Sequence, residues 1–412
     1  MTHPDDTGQP ALPGPSVSAP RLGQFEFTAM LAMLFATIAF SIDAMLPAFP
    51  AIATELTPDA PNRAQLILSA FILGMGVGTL FAGPLSDAFG RKPVIGGGLL
   101  LYVAGSALAR IAPSLELLLL ARALQGLGAA GPRIAGVALS RDLYEGRDMA
   151  RVMSFVMMVF MVVPALAPMI GTFVIAFAGW RAIFLAFIAF GLFALTWVWV
   201  RQAETLAPPA RRPLSATLIL SGLREVLANR DVRLYTAVMT LGFGQMMGLL
   251  SSIQQIFDVT YERAAQFPYW FALIAAFSAT ASFVNGKLVM RVGMRRLAAW
   301  AYLIQMVLSL GMAALFALNL LEGDAAFAAF FFWANSVFFI AGFTFGNLNA
   351  LAMQKMGHIA GMATSVISAI STVLAVVIAG PVGLAFDGTP LPAMVAAALC
   401  SAVAYALMRR AS

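Results

Sequence analysis

Long apolar stretches separated by short polar joints dominate the pattern of this chain. A helix that crosses a bilayer needs about 20 mostly apolar residues, and twelve stretches have this character. Their predicted limits are 27–51, 64–85, 94–112, 115–139, 151–175, 181–200, 232–257, 268–289, 297–318, 327–352, 361–385 and 391–408. Backbone polar groups in lipid must be satisfied internally, so runs this long predict helices. The predicted fold class is an all-α membrane protein with twelve transmembrane helices.

The polar segments divide the chain into two halves. The longest interior polar segment, residues 202–231, separates six spans from six, and its second part predicts a helix on the membrane surface. Residues 1–24 predict a disordered tail, because a signal peptide would need a basic start and an apolar middle. We therefore predict six-helix bundles over residues 25–201 and 232–412, joined by a linker.

Composition and charge narrow the class of protein. Hydrophobic residues make up 61% of the 412 positions and charged residues 11%, against about 45–50% and about 25% in soluble domains. A cytosolic enzyme and a secreted domain are thereby excluded. With a cytoplasmic N-terminus, 19 of the 25 Lys and Arg residues fall on cytoplasmic segments and four on outer segments. This distribution satisfies the positive-inside rule, so it predicts two cytoplasmic termini and explains the net charge of +6 without a nucleic-acid partner.

Several kinds of site are absent from the sequence. The single cysteine, Cys400, excludes an internal disulfide, and both histidines, His3 and His358, fall in polar segments, so no metal site is predicted. No Gly-rich loop ending in Lys-Ser/Thr is present, so no nucleotide cofactor is predicted. An intramembrane enzyme usually needs clustered carboxylates, and the predicted spans offer one near mid-membrane. We therefore predict a protein that is not an enzyme.

A loop motif recurs in the two halves. After the second span the chain carries, in order, Gly83, Leu85, Asp87, Gly90, Arg91 and Lys92. After the eighth span, 203 residues later, the glycines and the leucine recur in register, Met290 replaces the acid, and a basic pair follows one residue further on. Parallel repeats of six spans are a known transporter construction, with the substrate site between the halves.

The first of these loops resembles the signature loop of the major facilitator superfamily. Segments 43–50 and 122–130, together with Pro164, Pro168 and Gly171, resemble motifs of its proton-coupled drug exporters. Segments 347–352, 357–361 and 387–392 resemble the bicyclomycin/chloramphenicol-resistance (Bcr/CflA-type) group. The resemblance implies a monomeric transporter of a bacterial inner membrane that exports drugs or small organic metabolites in exchange for protons by alternating access.

Charges inside the predicted spans are the first functional candidates, since each is costly in lipid. Asp43 and Arg122 lie at similar depth, about 12 Å and about 10 Å from the outer ends of their spans. Lipid favours a protonated carboxyl group and a nearby guanidinium favours the carboxylate, so a site that balances them can load and release a proton. We predict that Asp43 carries the proton and contacts substrate, with Arg122 tuning it. The alternative is a permanent ion pair that only joins two helices.

Arg133 lies eleven residues after Arg122, which places both arginines on one face of the fourth span. The pattern predicts a positive wall that faces a cavity, although Arg133 could instead extend to the inner surface. Two arginines against one aspartate favour a neutral or anionic substrate. A proton-titratable Asp43 alone does not set direction, so proton-coupled uptake of an organic anion is the alternative to export.

The remaining candidates are neutral amides and a gate. Amides can hydrogen-bond varied ligands, or bond one helix to another. With Asp43, Arg122 and Arg133 they complete the predicted substrate set: Gln245, Gln254, Gln255, Asn335, Asn347 and Asn349. The predicted gating residues, at the inner membrane edge and at helix irregularities of the fifth span, are Asp87, Gly90, Arg91, Lys92, Arg141, Asp142, Pro164, Pro168 and Gly171.

Overall fold

The computed structural model describes residues 22–354, 356 and 359–410, which form helices and turns and contain no β-strand. Residues 1–21, Lys355, Gly357, His358 and residues 411–412 lie outside the described residues, so the structure does not test the predictions that fall on them. The helices are α1 Gln24–Asp43, α2 Phe49–Leu56, α3 Leu66–Phe89, α4 Arg91–Arg110, α5 Leu115–Leu143, α6 Gly146–Ala178, α7 Ala182–Arg201, α8 Ala216–Ala228, α9 Arg230–Gln255, α10 Phe267–Val292, α11 Met294–Ala317, α12 Gly323–Met353, α13 Ala360–Leu384 and α14 Leu391–Arg410.

Eleven helical segments of the described chain are long and apolar enough to cross a membrane. The helix α5, predicted as the fourth span, is not among them, although its 29 residues extend about 43 Å at 1.5 Å per residue. Arg122, Arg133 and several glycines lower its mean hydropathy. These residues are tolerated because α5 packs among four other helices of the first half: α1, α3, α4 and α6.

The first predicted span consists of two helices with a break between them. The helix α1 ends at Asp43, a single 3₁₀ turn covers Leu46–Ala48, and α2 begins at Phe49. Pro47 and Pro50 lack a backbone N–H and cannot continue an α-helix from the preceding turn. Asp43 therefore lies at a helix end inside the protein.

Helix packing is most extensive within each half of the chain, and two helix pairs make the largest contacts between the halves. The helix α3 packs against α13, and α6 packs against α10. The helix α8, in the segment predicted as linker, packs against α9 and α13. We call the end of the bundle that carries residues 202–228 the linker end, and the opposite end, with α2 and the C-terminal end of α9, the far end.

The recurring loop forms the same turn in both halves. Gly90 between α3 and α4 has φ +106°, and Gly293 between α10 and α11 has φ +85°. Glycine adopts these angles without a steric cost, whereas other residues rarely do. The shared glycines therefore have a backbone reason that is independent of the charges around them.

Candidate functional site

Arg122 is enclosed by three helices of the first half and is 0% exposed. Its Nη2 donates to the carbonyl oxygen of Ser41 at 3.0 Å, and its Nη1 donates to Gln125. Gln125 in turn donates to the Ser106 hydroxyl at 2.8 Å. The guanidinium also lies over the ring of Phe71, 4.5 Å from its centroid.

The break after Asp43 explains why Ser41 offers its carbonyl. In a continuous helix this oxygen would accept from the backbone four residues on, but the last carbonyls of a helix have no such partner. A cation at a helix C-terminus also complements the negative end of the helix dipole. On another side α5 packs closely against α3, since a Cβ on Gly126 would lie only 2.0 Å from the Phe71 carbonyl oxygen.

Asp43 is buried, with 5% of its surface exposed, and it does not pair with Arg122. Among the described residues, no cation lies within ion-pair distance of its carboxyl group and no hydrogen bond to it is formed. The adjoining Ala44 meets α6 closely, because a Cβ on Gly171 would lie 2.2 Å from its carbonyl oxygen. The ion pair considered as the alternative for Asp43 and Arg122 is thus not formed in this structure.

A cavity of about 730 Å³ opens between the halves at the linker end. Arg133 lines it, together with the apolar side chains of Phe35, Val137 and Met157. Helix α13 of the second half contributes hydroxyl groups to the wall, among them that of Ser365. Arg133 therefore faces a cavity.

Arg122 does not line this cavity with Arg133, so the predicted wall shared by both arginines was wrong. The small residues between them are used in helix packing, as Gly126 illustrates. Pro132 lies inside α5 one residue before Arg133. The two arginines belong to separate environments, one dry and bonded, the other open.

Four predicted gating residues meet at the linker end around Arg91. Its guanidinium donates to Asp87 at 2.5 Å and to Asp142 at 3.0 Å. The backbone N–H groups of Arg91 and Lys92 donate to the Glu204 carboxylate at 3.0 Å each. We call Asp87, Arg91, Asp142 and Glu204 the Arg91 cluster; it lies within the first half and the start of the linker. Arg141 lines the cavity beside it.

At the far end, uncharged side chains bond directly from one half to the other. Asn62 Nδ2 donates to the carbonyl oxygens of Leu384 at 3.1 Å and Phe386 at 2.7 Å. Gln255 Nε2 donates to Asn62 Oδ1 at 2.8 Å, and Gln65 donates to Gln255. We call Asn62, Gln65 and Gln255 the amide latch.

The other predicted amides occupy the interior of the second half. Gln245 accepts from Ser401 at 2.9 Å, and Asn347 donates to Asn285 at 2.8 Å, so both join neighbouring helices. Three of the predicted amides have a buried side-chain oxygen without a partner among the described residues: Gln254, Asn335 and Asn349. None of these five residues lines the 730 Å³ cavity or a smaller one of about 310 Å³ at the far end, which Gln255 lines.

The fifth-span residues lie in α6, which contains Pro164 and Pro168 without ending. Pro168 and Gly171 are buried. Gly171 packs on Ala44 within the first half, and α6 also packs against α10 of the second half.

Sequence reasoning missed Asn62, Gln65 and Glu204. Glu204 lies 113 residues from its partner Arg91, and Gln65 lies 190 residues from Gln255. No local pattern marks such contacts. Gln125 could have been found, because it lies three residues after Arg122 on one helix.

Comparisons with known proteins agree with this architecture. Residues 29–381 match the sequence profile of the Major Facilitator Superfamily. A bicyclomycin resistance protein homolog from Haemophilus influenzae is 30% identical over 351 residues, covering 84% of this chain and 86% of that protein. Multidrug resistance protein D of Escherichia coli is 30% identical over 259 residues, covering 59% of this chain and 64% of that protein.

Solved structures share the fold. The partially occluded inward open conformation of the xylose transporter XylE from Escherichia coli has a TM-score of 0.70 at 12% identity, covering 94% of this chain and 97% of that chain. The human organic anion transporter MFSD10 has a TM-score of 0.63 at 17% identity, covering 94% and 100%. The predicted all-helical fold is confirmed by this likeness.

Proposed function

The chain belongs to the Major Facilitator Superfamily, and from this premise we propose that it exports drugs or small organic metabolites in exchange for protons. The family and the relatives named above are transporters, and two of those relatives carry resistance in their names. A small-molecule substrate and a position in the membrane follow from the family. The exchange with protons, the direction and the neutral or anionic character of the substrate are our proposal.

The membrane arrangement we propose has twelve spans: the eleven segments described above and α5, which is the fourth span in chain order. The spans form two bundles, residues 25–201 and 232–412, joined by the linker 202–231. The excess of Lys and Arg on the segments of the linker end favours a cytoplasmic location for that end and for both termini. The chain then acts as a monomer in a bacterial inner membrane, with its 730 Å³ cavity facing the cytoplasm.

The observation that carries proton coupling is the buried and unpaired carboxyl group of Asp43. Proton binding removes a charge that would otherwise lie out of water without a counter-ion. Asp43 adjoins the break between α1 and α2, so a change in its charge affects the first span at the point where its helix is interrupted. Arg122 contributes by bonding the C-terminal end of α1. It does not bond the Asp43 side chain, so it acts on Asp43 only through the α1 backbone at Ser41.

The cycle we propose is alternating access. Substrate enters the cavity from the cytoplasm while the amide latch holds the far end closed. Protonation of Asp43 from outside and substrate binding from inside favour opposite states, so the proton gradient drives export. The Arg91 cluster acts as the gate at the linker end, since three of its residues, Asp87, Arg91 and Asp142, line the cavity.

Inverted membrane vesicles with a pH-sensitive dye test this function. A panel of neutral, cationic and anionic compounds should include at least one that causes proton release by the wild type. Asp43→Asn should abolish that release, because an amide cannot exchange the proton. Asp59→Asn, at an exposed acid of the far end, is the matched control and should behave as the wild type. Proton release that survives in Asp43→Asn would refute the assignment.

One observation favours a second function. The guanidinium of Arg133, unpaired in the cavity, suits an organic anion, so the same apparatus could run as proton-coupled uptake. The vesicle assay separates the two functions by direction, because an anion and protons would then move the same way.

A further inference from the structure

The wall of the linker-end cavity carries more unpaired positive than negative charge. Its acids are Asp87, Asp142 and Glu225. Asp87 and Asp142 both bind Arg91, and Glu225 is engaged in an interaction of its own. No acidic group of the described residues lies within ion-pair distance of Arg133, and no hydrogen bond uses its guanidinium. The cavity therefore contains a guanidinium whose donors are free.

Arg133 lies deep in this cavity. Arg141, eight residues later on α5, also lines the cavity but is exposed, and the spacing places Arg133 about 12 Å further from the linker end. An unpaired charge at such depth is costly, and for that reason it is a candidate for binding or transport. A guanidinium is suited to bidentate bonding of a carboxylate, since its planar donors match the two oxygens.

The surroundings of Arg133 specify the rest of the ligand. Phe35 from α1, Val137 from α5 and Met157 from α6 offer apolar surface on the first-half side. Across the cavity, the wall formed by α13 includes three residues that carry hydroxyl groups, Thr364, Ser365 and Ser368. Such a site fits an anionic group attached to an apolar body, with uncharged polar groups turned toward α13.

We propose that Arg133 is the anion-binding residue of this cavity, and that its ligands are amphiphilic organic acids with a single carboxylate. This inference rests on the proposed transport function, but binding of the ligand itself requires no pH gradient. The site lies at the linker end and is separate from the Arg122 environment, which contains a bonded guanidinium with no exposed surface.

Equilibrium binding tests the proposal on the full chain in bilayer discs of zwitterionic lipid. The probes are matched pairs of aromatic carboxylic acids and their neutral primary amides, in increasing size, beginning with 1-naphthylacetate and 1-naphthylacetamide. Calorimetric titration should show that at least one acid binds the wild type about tenfold more tightly than its amide, as expected for a hydrogen bond to a charged group. Arg133→Gln should bind acid and amide with equal affinity.

Three variants make the result specific. Arg133→Lys retains the charge and should keep a preference for the acid, reduced by the loss of bidentate geometry. Arg141→Gln removes a cation from the same cavity and the same helix, and should keep the full preference. Asp59→Asn, at an exposed acid of the far end, should also keep it. The assay applies no pH gradient, so a failure of proton exchange leaves this binding result unchanged. Equal binding of every acid and amide by the wild type, no binding of any acid, or an undiminished preference in Arg133→Gln would overturn the proposal.

Discussion

At the far end, uncharged amides of the first half bond directly to the second half, whereas at the linker end the Arg91 cluster bonds within the first half and the start of the linker. The difference matches where the cavity lies. Strong bonds at the linker end shape one wall and leave the halves apart, while weaker bonds at the far end join them. A transporter must break its closing contacts in every cycle, and neutral hydrogen bonds, each worth about 1 kcal/mol net, suit that purpose.

The largest effect is expected from breaking the amide latch at its centre. Gln255→Leu removes the partners of both Gln65 and Asn62, which are partly shielded from water. Each unsatisfied group costs about 1–3 kcal/mol, so the population with an open far end should rise by at least about tenfold. Spin labels at Thr54 and Val259, one from each half at the far end, would report the longer distance.

Two further variants sharpen that prediction. The double variant Gln65→Leu with Gln255→Leu replaces two bonded partners by apolar groups, so its shift should be smaller than that of the single variant. Thr389→Val is the control, because Thr389 bonds to Asp387 within the second half. An unchanged distance distribution in Gln255→Leu would show that the latch does not hold the far end.

An intermediate effect is expected from Arg91→Gln. The change leaves Asp87 and Asp142 without their shared cation, but Asp87 has 47% of its side chain exposed, and water replaces part of the lost interaction. Backbone amides of residues 86–92 should exchange with deuterium severalfold faster, while the far-end distance stays unchanged. Raising the salt concentration should speed the same exchange in the wild type and leave the latch unaffected.

The control for this variant is Arg147→Gln, which removes an equal charge at an exposed position nearby. If Arg91→Gln instead opened the far end, the two ends would be coupled through the charges rather than closed separately.

The smallest effect is expected from Glu204→Gln. The Glu204 carboxylate accepts from the first two backbone N–H groups of α4, where a negative charge gains about 0.3–1 kcal/mol from the helix dipole. Glutamine retains an acceptor oxygen and loses only the charge. Exchange of the Arg91 and Lys92 amides should therefore rise by about twofold or threefold, and by more in Glu204→Ala. Equal rates in both variants would assign the contact to packing alone.

The sequence predicts what depends on local pattern. The all-helical fold follows from the long apolar stretches, and the repeated turn follows from Gly90 and Gly293, whose backbone angles favour glycine. The number of spans stays a prediction, because eleven helical segments of the described chain are long and apolar enough to cross a membrane. The matched family and the shared all-helical fold agree with that level of prediction. Similar depth along the helices suggested an interaction between Asp43 and Arg122, whereas the structure forms no bond between their side chains.

What the pattern could not give is the choice of partner. Arg122 bonds the Ser41 carbonyl, which lacks a helical partner because the helix α1 ends at Asp43. The length of an apolar stretch does not reveal such a helix end. The amide latch joins residues from distant parts of the sequence, so its geometry exists only after the halves dock. Helical periodicity placed Arg133 and Arg122 on one face, but a face of α5 meets different neighbours at different depths.

The turns at Gly90 and Gly293 differ in the groups that contact them. A Cβ at Gly90 would meet the Glu204 carboxylate, whereas a Cβ at Gly293 would meet nothing within 4 Å, and Met290 beside it is 86% exposed. For protein engineering this makes the second turn the natural insertion point for an affinity tag or a fluorescent domain. The inserted domain would displace no contact of the Arg91 cluster. By the proposed topology it would lie in the cytoplasm, outside the path of the substrate.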